Sequence, residues 1–520
     1  MDERSALATD PRDSGISTRF LAILAAIVMA RLVIHVALYS AGFASLTADE
    51  FARVVQAARW AERPFWLTHG EWLPLHSYLY GAWLAVWWDL LWAPRVLTIV
   101  LGIAGILAMA LLARAMLRSS MLGLAAAAWL AVNPGHRWLS STPLTEAAYT
   151  ACMAGALAAL VYHLRGGGPR TILVSATLLG LACGFRYEGW MFAIPYTGLL
   201  IFRAVTVQGR SGDRTVVLAA AALPWVIPDL WIWGSWVATN DPLQFLHTIR
   251  SYKLAWYGGE RSYAMYPRAW WRLDPWATML IPLGCMVSML RTRRDPPIAV
   301  IGWLYVISTL VFVALHRGQV ESTNNSVRYT GPFLFVGYPF ALIAIDALWR
   351  RFQPTSSSLR QLAFGAIALG ALAGQVRGAF AFIPDGNAAG LAVGRAIRDL
   401  RAIDHVTPPR TAMIELAYWS YLAVHVGADD VDSIVYDREI DLAQRRSSSL
   451  IRVNWPALRA CISQWDVGYI AARTPELRAI LERHFGSATA VKVGDWENFR
   501  MAPNVGPSDA GVPCPLQGAK

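Results

Sequence analysis

Long apolar runs separated by short polar connections dominate the chain as far as residue 376. The first, 20–39, matches the roughly 20 residues that a helix needs to cross the hydrocarbon core of a bilayer. Further runs fall at 75–92, 96–113, 120–133, 147–163, 171–185, 190–202, 216–236, 276–290, 298–315, 331–348 and 360–376. Behind the first run the pattern changes at 46–53, where Phe51, Val54, Val55, Ala58 and Trp60 recur with helical spacing. That spacing predicts an interfacial amphipathic helix headed by Asp49 and Glu50. The reading is an α-helical polytopic membrane protein of eleven to thirteen transmembrane helices.

Beyond Arg377 the texture is that of a small α/β domain. Residues 389–403 have the apolar period of a helix, and 411–414, 433–436, 467–471 and 488–493 resemble short strands. A second helix is expected over 475–485, with Pro475 in its first turn and Gly486 just past its end. The domain organisation is therefore a tail at 1–19, a membrane module at 20–376 and a C-terminal domain at 377–520. No internal repeat or low-complexity tract is visible.

Composition agrees with the pattern: 55% of residues are hydrophobic and 16% charged, and the mean hydropathy is +0.37. The 24 Trp, concentrated between residues 60 and 349, suit anchors at headgroup depth. Residues 377–520 hold 16 basic and 16 acidic side chains, so the net charge of +11 belongs to the membrane module. Lipid phosphates account for that excess, and with no basic recognition helix nucleic acid is not an expected partner. Arginines mark alternate connections: Arg114 and Arg118, Arg165 and Arg170, those within 203–214 and 291–294, then Arg350 and Arg351. By the positive-inside rule these connections and the N-terminal tail are cytoplasmic. Loops 133–146, 186–190, 238–275 and 316–329 then lie outside, together with the C-terminal domain, as in a bacterial inner membrane. Spanning at both 20–39 and 75–92 would invert the later register, unless 75–92 is re-entrant or another crossing is hidden. The first run also has the alternative reading of a signal peptide with a small-residue site at Gly42-Phe-Ala44, although an amphipathic helix rather than a soluble domain follows it. Of the five cysteines, Cys152, Cys183 and Cys285 lie in apolar runs, whereas Cys461 and Cys514 are a candidate disulfide in an oxidising outer compartment.

The outer loops carry the candidate chemistry: Asp49 and Glu50; Glu62, His69, Glu71 and His76; His136, Arg137 and Glu146; Arg186 and Glu188; Arg250, Lys253, Arg261 and Arg268; then His316, Arg317 and Arg328. A transfer from a lipid phosphate needs a carboxylate to deprotonate an acceptor hydroxyl, cations to hold the departing phosphate and a groove open to lipid. Ordinary roles exist for the same residues. Asp49 and Glu50 can favour the positive end of a helix dipole by about 0.3–1 kcal/mol. Glu146 can belong to the helix start at 141–146, Arg186 and Glu188 can neutralise each other, and the basic loop can be solvated surface. Arg31 and His35, one turn apart in the first run, either pair with another helix's acid or line the site.

The ordered motifs resemble the GT-C superfamily of polyprenyl-phosphate-dependent glycosyltransferases, in the branch of protein O-mannosyltransferases and aminoarabinose transferases. The resemblance rests on Asp49-Glu50 after the first helix, Pro74-Leu75, the run 93–97, Asn133-Pro134 followed by Thr145-Glu146, the run 184–190, and Arg328-Tyr329 before Pro332. It implies a GT-C-like membrane module with Asp49 as catalytic base, Glu50 as its helper or substitute, and Glu146 as the second-loop acid that orients the acceptor or helps hold a metal. It also implies Arg186, Arg328, Tyr329 and, from the basic loop, Arg261 as donor-phosphate ligands, with Glu188, His69 and His76 supporting the site or the acceptor. The Asp-x-Asp of metal-dependent oligosaccharyltransferases and the Lys-Pro-Pro-Leu of the aminoarabinose branch are both missing. No cofactor is assigned, and a divalent metal on Asp49 and Glu146 stays open. The expected partners are a polyprenyl-phosphate sugar, a lipid, glycan or protein acceptor, and the bilayer. The expected reaction is an inverting sugar transfer. A secondary transporter or lipid flippase, and an O-antigen polymerase or ligase, are the competing readings.

Overall fold

The computed structural model describes residues 17–206, 211–257, 261–317, 323–351, 387–405, 410–415, 420–436, 438–441, 446–449, 455–486, 490–501 and 514. Helix α1 (Thr18–Ser40) starts at Ser17, whose hydroxyl accepts from the Phe20 amide at 3.1 Å. The amphipathic segment is helix α2 (Asp49–Glu62), and α3 (Leu75–Val86) follows. With 12 residues at about 1.5 Å each, α3 reaches only about 18 Å, short of a bilayer core of ~30 Å. By length α3 alone does not make a full crossing, which is compatible with the re-entrant reading of 75–92, and α4 (Trp92–Leu117) follows.

The bundle continues with α5 (Ser120–Val132), the short α6 (Pro134–Leu139), α7 (Glu146–Leu164), α8 (Pro169–Phe185) and α9 (Glu188–Thr206). Next come α10 (Ser211–Ala222), a 3₁₀ turn at Leu223–Trp225, and α11 (Val226–Thr239). Helices α12 (Gln244–Tyr257) and α13 (Met265–Leu273) precede α14 (Pro275–Leu290), α15 (Pro296–His316), α16 (Thr323–Val336) and α17 (Tyr338–Arg351). Among the described residues, five helical stretches are long and apolar enough to cross a membrane: α1, α4, α7, Arg214–Thr239 and α15. Counting the bent pairs α13–α14 and α16–α17 as one span each makes seven. Length and composition thus yield fewer full crossings than the eleven to thirteen expected, because some apolar runs become helices as short as α5 and α8, and 360–376 lies outside the described residues.

At the 115° bend between α13 and α14, Asp274 caps α14 by accepting from the Ala277 amide at 3.0 Å. Its other oxygen accepts from Trp129 Nε1 at 2.7 Å and the Tyr338 hydroxyl at 3.1 Å, which ties α14 to α5 and α17. Helices α14 and α17 touch backbone to backbone, and a Cβ at Gly284 would lie 1.8 Å from the Phe340 carbonyl. At one end of the bundle Arg165 pairs with Asp295 at 3.2 Å and donates to the Met116 carbonyl at 3.0 Å, so three arginine-bearing connections share one face. The ends carrying Asp49, Glu146, Arg186 and Arg328 meet at another site.

The C-terminal region is an α/β layer. Its five-stranded sheet has the order β2 (Ile434–Tyr436), β1 (Thr411–Ile414), β5 (Val467–Ala472), β7 (Trp496–Arg500), β6 (Ala490–Val493). Strands β1, β2 and β5 pair in parallel, and β7 runs antiparallel to both β5 and β6. The parallel strands are covered on both faces, as such strands require. Ala412, Ile414, Tyr469 and Ala471 pack with α18 (Asn387–Asp404) and α19 (Ser420–Ala428). Met413, Ile470 and Ala472 face α20 (Trp455–Gln464) and α21 (Pro475–Phe485). Strands β3 (Arg438–Asp441) and β4 (Arg446–Ser449) form a separate hairpin. Cys461 of α20 and Cys514 are bonded, S–S 2.00 Å, as expected. The expected domain boundary at 376–377 lies outside the described residues.

This layer docks on α2. Phe51, Val54, Val55, Ala57 and Ala58 share one apolar cluster with Leu391, Ala423, Val426 and Val431. Asp429 accepts from the Leu90 amide at 2.8 Å, and Asn387 donates to the Ser45 hydroxyl at 3.1 Å.

Candidate active site

Four helix ends converge on one chain of ion pairs. Asp49 opens α2, Glu146 opens α7, Arg186 follows the last residue of α8, and Arg328 lies in the first half of α16. Arg328 Nη1 donates to Asp49 Oδ2 at 2.6 Å, and its Nε donates to Glu146 Oε1 at 3.0 Å. The same Glu146 oxygen accepts from Arg186 Nη1 at 2.5 Å. Arg186 also grips Glu188 with two bonds, Nη2 to Oε1 at 2.6 Å and Nε to Oε2 at 3.1 Å, and reaches Thr145 Oγ1 at 3.2 Å. Two-point guanidinium–carboxylate contact fixes orientation as well as charge, so Glu188 aims Arg186 and Glu146 joins the two arginines. Glu146 is fully buried, whereas the Asp49 side chain is 37% exposed. Only the second of these carboxylates can meet a substrate without rearrangement.

Tyr329 extends the site. Arg186 lies over its ring at 5.4 Å and Lys253 of α12 at 5.1 Å. Next to it, Tyr266 and His316 Nδ1 are 2.9 Å apart, with Lys253 Nζ 3.5 Å from His316 Nε2.

Arg53, one turn after Asp49 on α2, was not among the residues singled out from the sequence. It is buried, lies over the Trp72 ring at 4.6 Å, and its Nε has no hydrogen-bond partner among the described residues. Burial and the like charge of Arg328 depress its guanidinium to about 10, against the pull of Glu146 and Asp49. The i, i+4 spacing from Asp49 was the available signal. Lys253 was recognised only as part of a basic loop, in which Arg261 had been preferred.

Several expected members stand elsewhere. Glu50 is fully buried and its Oε2 accepts from the Leu46 amide at 3.0 Å, so it braces the turn entering α2. His69 is exposed and within bonding distance of its neighbour Thr68 Oγ1 at 2.9 Å. Arg261 is exposed and has no contact with the cluster among the described residues. His76 is buried, stacks on Tyr80 with 4.1 Å between centroids, and its Nε2 is 2.9 Å from the Pro143 carbonyl. A carbonyl only accepts, so His76 Nε2 carries a proton and holds the loop leading to Glu146. Arg31 and His35 do neither of the two things expected of them. Arg31 donates to the Ala131 carbonyl at 2.7 Å and Ser140 Oγ at 2.5 Å, and His35 Nδ1 is 2.9 Å from Ser141 Oγ. Both tie α1 to the approach to Glu146.

The residues do not form a cation cage. Asp49 and Glu146 each give an oxygen to the guanidinium between them, and among the described residues no group of three or more His, Cys, Asp or Glu could hold a metal.

No family model matches the chain. Over 316 residues it is 29% identical to the undecaprenyl phosphate-alpha-4-amino-4-deoxy-L-arabinose arabinosyl transferase of Pseudomonas paraeruginosa, an alignment covering 56% of this chain and 53% of the relative. The match thus spans about half the length of that curated relative. The fold is similar to that of ArnT from Cupriavidus metallidurans bound to undecaprenyl phosphate, with a TM-score of 0.58 at 13% identity, covering 93% of this chain and 98% of the other. It is also similar to the archaeal oligosaccharyltransferase AglB of Archaeoglobus fulgidus, solved with an inhibitory peptide and a dolichol-phosphate: TM-score 0.56, 11% identity, covering 87% of this chain and 69% of that one. At these identities the likeness is one of fold, and the chain shares the overall architecture of these membrane enzymes.

Proposed function

We propose that this protein is an inverting glycosyltransferase that moves one sugar from a polyprenyl-phosphate donor to a hydroxyl of its acceptor. The observation that carries this reading is the junction of Asp49, Glu146, Arg186 and Arg328, drawn from four distant helix ends, beside the buried and incompletely paired Arg53. Three arginines face three carboxylates, with Lys253 close by. A phosphate supplies the anion that Arg53 Nε lacks, in a setting where oriented donors act strongly.

In the reaction, Asp49 takes the acceptor's hydroxyl proton through Oδ1, since Oδ2 is held by Arg328. The acceptor oxygen bonds to the anomeric carbon from the face opposite the phosphate. The bond from that carbon to the phosphate oxygen breaks, and its electron pair leaves with the polyprenyl phosphate. Arg186 and Arg328 stabilise the charge that develops there, Arg53 holds the donor phosphate, and Tyr329 spaces Arg186 from Lys253. Glu146 and Glu188 keep the arginines aimed, a positioning role rather than a proton-transfer role. Glu50 is left as a structural acid. The carrier bound to the structural relative and the name of the sequence relative support a lipid-linked donor. The arginine-bearing connections grouped by Arg165 support a cytoplasmic opposite face, and hence a site and C-terminal domain outside the cytoplasm.

The test is transfer of radiolabelled sugar from a panel of polyprenyl-phosphate sugars to membrane extract by the purified full-length protein. Asp49→Asn should slow transfer by about 10²–10⁴-fold, the usual contribution of a positioned base, while Glu50→Gln keeps activity if it folds. Transfer that survives Asp49→Asn unchanged would remove Asp49 as the base. A well-folded wild type that transfers from no donor would overturn the reading.

A further inference from the structure

Outside the reaction centre, one exposed acid lies in the first turn of a membrane helix. Asp229 of α11 is exposed within Arg214–Thr239, a stretch apolar enough to cross the membrane, and has no hydrogen bond or ion pair among the described residues. Carboxylates on membrane helices are costly unless partnered or used. Asp229 lines a groove of about 380 Å³ with Ile232, Trp233, Trp236 and Pro242. Trp233 and Trp236 are about half exposed, and Trp66, also exposed, lies 5.3 Å from Trp233 between ring centroids.

The depth of this groove follows from the packing of α11 on α8. A Cβ at Gly180 would meet Leu223 and Pro224, and one at Gly184 would meet Ile227. The two helices therefore run in the same direction in matched register, which puts Asp229 level with Arg186. Ile227 faces α8, and two residues further along a helix is roughly 200° around it, so Asp229 points away from the bundle. A carboxylate and exposed indoles thus open outward at the level where Arg186 is placed to hold a phosphate.

We propose that this groove binds the ammonium headgroup of a membrane aminophospholipid in the leaflet that holds the reaction centre. Charge complementarity selects the occupant: Asp229 attracts a cation, and indole faces attract it further through their quadrupoles. An ammonium group is the cation that a zwitterionic lipid carries beside its phosphate. An anionic lipid would bring its phosphate against Asp229 with no compensating charge.

The experiment uses the purified full-length protein in detergent micelles, mixed with phosphatidylethanolamine, phosphatidylglycerol or N-acetylated phosphatidylethanolamine. Lipid that remains bound after gel filtration is measured by mass spectrometry. The N-acetylated lipid keeps the phosphate and chains but lacks the ammonium charge. Wild type should retain phosphatidylethanolamine about tenfold over both other lipids, and Asp229→Asn should lose most of that preference, with Trp233→Ala reducing it further. Asp229→Glu, which keeps the charge, should preserve it. Equal retention of the acetylated lipid, or a preference unchanged in monodisperse Asp229→Asn protein, would overturn the proposal.

Discussion

Arg53 and Asp49 share one helix turn but differ in what surrounds them. Asp49 has one oxygen available and partial exposure, which suits a base; Arg53 is buried with an Nε unpaired among the described residues, which suits an anion ligand. Replacing Arg53 with Gln should therefore raise the donor KM by roughly tenfold to a hundredfold, the range for one charge-assisted hydrogen bond, with a smaller change in kcat. Steady-state kinetics with varied donor check this, and an unchanged KM with a lowered kcat would assign Arg53 to the transition state alone. At this scale the sequence showed residue types but not their neighbours. Asp49, Glu146, Arg186, Glu188 and Arg328 were all legible as outer-loop ions. Glu50 and, less securely, Arg261 were legible in the same way, and only their surroundings distinguish them: one accepts from a backbone amide, the other faces solvent.

Helix α2 illustrates the next scale. Its apolar stripe was readable from the spacing of Phe51, Val54, Val55 and Ala58, but the reading gave that stripe to lipid. Much of it instead meets Ala423, Val426 and Leu391 of the C-terminal layer. The helix bearing the proposed base is thus held from both sides. Val426→Asp would bury a carboxylate against α2 and should lower transfer while making the C-terminal layer more sensitive to limited proteolysis. Normal activity with normal protease resistance would show the docking to be dispensable.

Helix α19 also carries a pH-sensitive element. Burial, against the opposing Asp430 carbonyl and carboxylate, holds His425 down to about 4. Its folded pKa is below the unfolded value, so the unfolded state takes up a proton first as pH falls. Stability is lost from near pH 6.5 down to about 4, by up to about 1.4 kcal/mol per pH unit from this group. Asp430, whose carboxyl burial raises but the Ser433 amide and Arg401 lower overall, adds a loss only at still lower pH. Thermal unfolding of the full-length protein between pH 7 and 4.5 should show the slope, and His425→Asn should flatten it. The sequence reading also missed β7 and the β3–β4 hairpin. Short strands that mix charged and apolar residues acquire their identity from the partner strand, as Phe499 does opposite Ile470 and Ala490.

For the whole molecule, the orientation of the site is the first property to measure. A single Cys at the exposed Arg261 position should react with an impermeant maleimide from outside intact cells, and reaction only after the cytoplasm is opened would reverse the proposed topology. The sequence by itself determined what depends on residue type and local period. It made a polytopic helical module, a charge-balanced α/β domain and a set of ionic residues at helix ends, because hydropathy and helix or strand periodicity act over a few turns. The tertiary structure alone decided which ends meet. Asp49 and Arg328 are separated by 279 positions yet lie 2.6 Å apart. Such a contact is set by the packing of α2, α7, α8 and α16 against one another, and no local pattern encodes it. The same packing turned Glu50 inward, brought Arg53 to the arginine cluster and left Asp229 facing out of the bundle.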